Sequence, residues 1–170
     1  DKSPDTTNGR QMRRVVRLLK YWSTSRSSWN MPSGFVLSVL ADEAYQIGGW
    51  KDRDDQALLA VMRQIKNRIS IDEKVYRPVS PRDEITSART YSRIQKMKDE
   101  LGAAISELSR IERSDCDELM ALKALKSVFY TDYFDARIQE LEEGGGGGGA
   151  KGAATPKQPV DKRGGSGQYA

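Results

Sequence analysis

The stretch RRVVRLLKYWSTSRSSWNMPSGFVLSVLADEAYQ, residues 13–46, decides how this chain is read. Its first part alternates apolar and basic positions at helical spacing. Val15, Leu18, Leu19 and Trp22 fall on one face of a helix over residues 10–25, while Arg13, Arg17 and Lys20 recur at i, i+4 and i+7 on another. Residues 23–30 are polar and predict a connection. Met31-Pro32 then opens a second helix, with proline in the first turn, where its missing N–H is no loss. The apolar set Phe35, Val36, Val39, Leu40 and Ala44 leads to Gly48-Gly49, a pair suited to ending a helix.

Helical spacing continues outward from this pair. A third helix from about Asp52 has acids in its first turn and a core stripe of Leu58, Leu59, Val61, Met62, Ile65 and Ile69. Between residues 69 and 85 the pattern breaks, and Pro78 and Pro81 predict a loop with a short strand. A long helix over 90–113 follows, with Tyr91, Ile94, Met97, Leu101, Ala104, Ile105, Leu108 and Ile111 at spacings of three and four. Ser114 with Asp117 resembles a capping box, opening a helix that turns Leu119, Leu122, Leu125 and Val128 inward. The expected fold is all-α, an antiparallel bundle of about five helices over residues 1–143. After Glu143 come six glycines and AKGAATPKQPVDKRGGSGQYA, whose apolar content is too small to offset the entropy of ordering, so 144–170 read as a disordered tail. The run GGGGAKG is not a phosphate loop, since no Ser or Thr follows the lysine and no strand precedes it.

Composition narrows the chemistry. Histidine is absent, which removes imidazole acid–base catalysis and imidazole metal ligation from this chain. The single cysteine, Cys116, reads as a minor packing residue. No apolar run approaches the roughly 20 residues of a membrane helix, and the first ten residues, DKSPDTTNGR, lack the apolar core of a secretory signal, so a cytoplasmic location is expected. Net charge is +4, of which +3 falls from Lys151 onward, leaving the remainder nearly balanced. A general nucleic-acid binder usually concentrates its basic surplus in the folded domain, so that class is disfavoured. The pairs Asp54-Asp55 and Glu142-Glu143 fall in a helix first turn and at a helix end, and Asp115 and Asp117 belong to a cap. All read as solvated or capping charges. Trp22, Trp29 and Trp50 read as packing or rim residues.

The block at residues 13–46 resembles the helix pair that opens the second lobe of the CD-NTases, bacterial nucleotidyltransferases of CBASS antiphage signalling, and of the related oligoadenylate synthetases and cyclic GMP-AMP synthase. Those proteins carry a basic helix ending in Leu-Lys-x-Trp, here residues 19–22, then a connection, then a Pro-Ser pair, here residues 32–33, starting an apolar helix. The segment KVYRPVSPRDEITSARTYSRIQKMKDELGAAISELSR is similar to the part of the bacterial enzymes where a proline-containing stretch precedes the last long helices. The resemblance covers about residues 10–135. The family's catalytic Gly-Ser pair and metal-binding carboxylates belong to a first lobe that would precede residue 1, and nothing here substitutes for them.

The resemblance implies that Lys20 reaches the triphosphate of a donor nucleoside triphosphate, with Arg13 and Arg17 extending the positive wall. It also implies that Ser33 donates to phosphate oxygens and that Phe35 stacks on a nucleobase. From the residues alone, Lys20 and Arg17 are equally a solvated basic face, Ser33 a cap and Phe35 core. The implied full-length activity is synthesis of a cyclic di- or trinucleotide with Mg2+ held by the first lobe. Many CD-NTases also end in a ubiquitin-like tail that a partner enzyme with ubiquitin-activating-like and conjugating-like domains captures. Here that tail would present Gly167, Tyr169 and the terminal carboxylate of Ala170. The alternative is a non-catalytic helical adaptor whose tail is held by another protein.

Overall fold

The computed structural model describes residues 10–48 and 50–144. Among them are six α-helices and no strand: α1 Gln11–Thr24, α2 Gly34–Gln46, α3 Asp54–Ile71, α4 Ala88–Leu108, α5 Glu118–Phe129 and α6 Asp135–Gly144. The expectation of an all-α chain holds. None of these helices is long and apolar enough to cross a membrane.

The core forms where apolar stripes meet. On α1, Val15, Leu19 and Trp22 are buried, with Leu18 half-buried at the edge. On α3 the whole anticipated stripe, Leu58, Leu59, Val61, Met62, Ile65 and Ile69, is essentially inaccessible to solvent. α2 is apolar on most sides because it packs against both α1 and α3, burying Val36, Leu37, Val39, Leu40, Ala41, Ala44 and Tyr45. α4 covers α3 with Ile94, Met97, Leu101, Ala104 and Leu108, and carries α5 on its other side. At about 1.5–3 kcal/mol per large apolar side chain, this interior is what holds α1, α2 and α3 in fixed relation. α6 touches α5 and is sewn to it by exposed ion pairs, Lys123–Glu142, Lys126–Asp135 and Arg137–Glu118.

Local chemistry moves several boundaries from their expected places. Met31 and Pro32 lie outside α2, both buried, because Ser33 is the N-cap: its extended backbone (φ −60°, ψ 153°) and its Oγ, accepting from Val36 N at 3.4 Å, start the helix at Gly34. Gly48, at φ 107°, occupies the left-handed position that ends α2, as anticipated for glycine there, while Gly49 lies outside the described residues. The long fourth helix tightens at Ser109 into a 3-10 turn, Ser109–Glu112, where Ser109 Oγ donates back to the Ile105 carbonyl at 2.6 Å. Ser114 does not cap α5. Asp117 does, its Oδ1 accepting from Met120 N at 2.7 Å, and Asp115 is committed to Arg113. The inward face of α5 is Ala124, Val128 and Phe129, with Leu119, Leu122 and Leu125 only half-buried. Tyr130, left-handed at φ 48°, then breaks the chain direction and separates α5 from α6. The expected short strand amounts to one antiparallel bridge, Tyr76 to Glu84, since Pro78 and Pro81 offer no N–H to extend it.

Candidate functional site

The functional candidates converge where α1 ends and α2 begins. Three successive hydroxyls close the last turn of α1: Ser23 and Thr24 donate to the Lys20 carbonyl at 2.8 and 3.1 Å, and Ser25 to that of Trp22 at 2.8 Å. The polar run is thereby used to end a helix, and the chain reverses through Arg26 to Pro32. Trp29 is pinned edge-on to the buried Trp22 ring, centroids 5.4 Å apart. Arg26 lies over Trp29 at 4.4 Å and donates to the carbonyls of Ser127 at 2.8 Å and Val128 at 3.2 Å, placing a cation on the negative C-terminal end of α5. This reversal and the first turn of α2 enclose a cleft of about 460 Å3, lined by Lys20, Thr24, Arg26, Asn30, Pro32 and Gly34 among others.

Lys20 reaches across this cleft onto α2. Gly34 opens that helix, and a Cβ built there would lie 3.4 Å from Lys20 Cε and 3.8 Å from its Nζ. The ammonium therefore rests beside a helix N-terminus. The first-turn N–H groups of a helix have no intrahelical acceptor. Ser33 Oγ satisfies Val36, while the N–H groups of Gly34 and Phe35 have no acceptor among the described residues. There is no acid in the first turn of α2, and Lys20 makes no ion pair among the described residues. A full positive charge thus faces the half charge of a helix N-terminus, a repulsion of roughly 0.5–2 kcal/mol at contact range. An anion in the cleft reverses its sign and fills both open N–H groups.

The structure separates the sequence candidates. Lys20 lines the cleft, and Ser33 stands at its edge between two lining residues, engaged as a cap. Phe35 is not core: its ring is 55% exposed on the first turn of α2, beside the cleft rather than in its wall. Arg17 is exposed one turn before Lys20, outside the wall, and Arg13 is exposed and engaged in an interaction. Trp22 is fully buried, Trp29 shares the cleft wall, and Trp50 is an exposed rim residue. Cys116 is half-buried next to the α5 cap. Gly167, Tyr169 and Ala170 lie outside the described residues. Arg26 and Gly34 were not singled out from sequence, though an arginine between serines and ahead of a tryptophan was the available signal for the first.

The acids are spent elsewhere. Asp54 pairs with Arg14, Asp55 with Arg53, Asp115 with Arg113, and Glu142 with Lys123. Among the described residues no three His, Cys, Asp or Glu side chains are grouped to hold a metal. Among the described residues the cleft wall holds the side chains of Lys20 and Arg26 and no Asp or Glu. No protein-family model matches the chain, and no curated protein is similar to it by sequence, so any family assignment rests on the motifs at residues 13–46 and on this cleft.

Proposed function

We propose that residues 1–143 form the second, helical lobe of a CD-NTase-type nucleotidyltransferase, and that the cleft at Lys20 holds the triphosphate of a nucleoside triphosphate. One observation carries this reading: Lys20 lies against the N-terminus of α2, and among the described residues no carboxylate neutralises either. Polyphosphate chemistry suits that arrangement. The ammonium acts as a compact point charge that needs no bidentate geometry, the Gly34 and Phe35 N–H groups bind phosphate oxygens, and the Ser33 hydroxyl sits next to them. The exposed Phe35 ring offers a face for a nucleobase. Arg17, outside the wall, adds long-range positive potential only.

On this reading the reacting atoms lie at the junction with another lobe, which supplies the carboxylates and Mg2+ for in-line nucleotidyl transfer. This lobe clamps and orients the donor. The intact enzyme would make cyclic di- or trinucleotides in bacterial antiphage signalling, in the cytoplasm. The tail from residue 144, ending Gly167, Tyr169, Ala170, would be the substrate of the ubiquitin-transfer-like partner. The cleft is tested by titrating 15N-labelled chain with ATP and following backbone amides. The expected result is that Gly34 and Phe35 shift first and most. Shifts concentrated elsewhere, or none at millimolar ATP, would remove the basis of this assignment.

A further inference from the structure

On the opposite flank of α1 lies a second depression that the nucleotide reading does not use. It measures about 540 Å3, and its walls are Leu18 and Tyr21 of α1, Leu58 of α3, Phe129 of α5, and Tyr133 and Phe134 of the turn before α6. The rings are ordered against each other, Tyr21 on Phe129 at 5.8 Å and Tyr133 edge-on to Phe134 at 5.2 Å. Even so, Tyr21 is 51% and Tyr133 83% exposed. A contiguous aromatic groove of this kind marks an interaction surface.

Two opposite charges flank it. Arg17 stands on the α1 side, one turn before Tyr21 and on the same face, with no ion pair among the described residues. Asp132 lines the groove from the turn side, exposed, and its carboxylate likewise has no partner among them. The neighbouring acids Asp55 and Asp135 are already paired, with Arg53 and Lys126. One patch therefore holds a hollow, a projecting ring able to fill such a hollow, and one charge of each sign without an ion pair among the described residues, Asp132 in the wall and Arg17 just outside it on the α1 side.

We propose that this groove is the seat of a second copy of the chain in a two-fold dimer. A two-fold axis through the groove lays α1 of each protomer over the 131–134 turn of the other. Arg17 then meets Asp132 of the partner subunit twice over, and Tyr133 enters the facing groove beside Tyr21. Self-complementarity is what selects a second copy over an unlike protein, which has no need of both signs of charge and both shapes on one patch. None of Arg17, Leu18, Tyr21, Asp132 or Tyr133 borders the Lys20 cleft, so Tyr133→Ser tests the dimer apart from the nucleotide assignment, in which Arg17 has only a long-range part.

Sedimentation equilibrium of the full 170-residue chain tests it. Wild type should dimerise reversibly in the micromolar range. Tyr133→Ser should weaken the dimer about a hundredfold, and Arg17→Asp or Asp132→Arg about tenfold each by placing like charges together. The double variant Arg17→Asp/Asp132→Arg should return to near wild type, because both ion pairs re-form with reversed polarity. The substituted side chains are all exposed, so circular dichroism should show unchanged folding. A strictly monomeric chain, a dimer indifferent to Tyr133→Ser, or a double variant no better than the single ones would each overturn the proposal.

Discussion

Arg14 and Lys20 are both exposed residues of α1, and each lies beside the N-terminus of another helix. At α3 the junction is complete. Arg14 grips Asp54 through two bonds of 2.6 and 3.0 Å, and Asp54 occupies the first turn of α3, where a carboxylate answers the helix dipole. Gln11 finishes the arrangement, donating to Asp54 at 3.1 Å and to the Lys51 carbonyl at 2.8 Å while accepting from Tyr45 and from Lys51 N. At α2 the same pairing of cation and helix end recurs with no acid in the first turn. The chain thus builds one junction with its own anion and one without. The first is structural, and the second, on the proposed function, is where polyphosphate would supply the anion.

The largest loss should follow from emptying the core on which α1, α2 and α3 meet. Trp22 is fully buried in the core that α1 shares with α2 and α3, and Trp22→Ala should lower unfolding free energy by about 3–5 kcal/mol in denaturant titration. Such a loss would disturb both ends of α1 together. Ser33→Ala removes the cap that starts α2 and should cost about 1 kcal/mol. It should also weaken ATP binding, whereas a cap with no part in the site would move stability alone.

Exchanging the charges sharpens the contrast. Phe35→Asp supplies α2 with the anion that α3 already has, at an exposed position. It should stabilise the fold by about 0.5–1 kcal/mol and abolish polyphosphate binding, an opposite pair of effects that calorimetry and thermal unfolding would separate. Asp54→Asn should cost about 1 kcal/mol, a modest value because the pair is partly exposed. Its pH dependence has a definite sign. The hydrogen bond from Arg14 holds the Asp54 carboxyl below the ordinary aspartate range, against a smaller opposing effect of burial. The pair's contribution is therefore present above the unfolded value of about 3.9 and is lost as pH falls through the lower folded value. The stability gap between wild type and Asp54→Asn should shrink only in that acid window.

Period and capping made most of the fold readable. The α3 stripe was legible because six large apolar residues at helical spacing leave one way to bury them. The region after residue 108 was less so, because its boundaries depend on competing polar contacts: Ser109 folding back on Ile105, Asp115 taken by Arg113, Tyr130 accepting a left-handed backbone. Of the cleft's lining residues, Lys20 had been singled out through its motif. What a sequence does not carry is that an ammonium and a helix N-terminus come together with no acid between them, nor that Phe35, apolar and in helical register, faces outward. The aromatic groove was equally hidden, since Tyr21 and Tyr133 meet only through the packing of α1, α3 and α5.

On the proposed function, the Lys20 junction has no acid of its own because the polyphosphate of a nucleotide takes that place. Isothermal titration of the chain with tripolyphosphate, comparing wild type, Arg14→Ala and Lys20→Ala at two salt concentrations, tests it most directly. Wild type and Arg14→Ala should bind alike, Lys20→Ala at least tenfold more weakly, with a shallower salt dependence in the lysine variant as one phosphate contact is lost. Equal affinities for all three proteins, or a loss caused by Arg14→Ala instead, would contradict it.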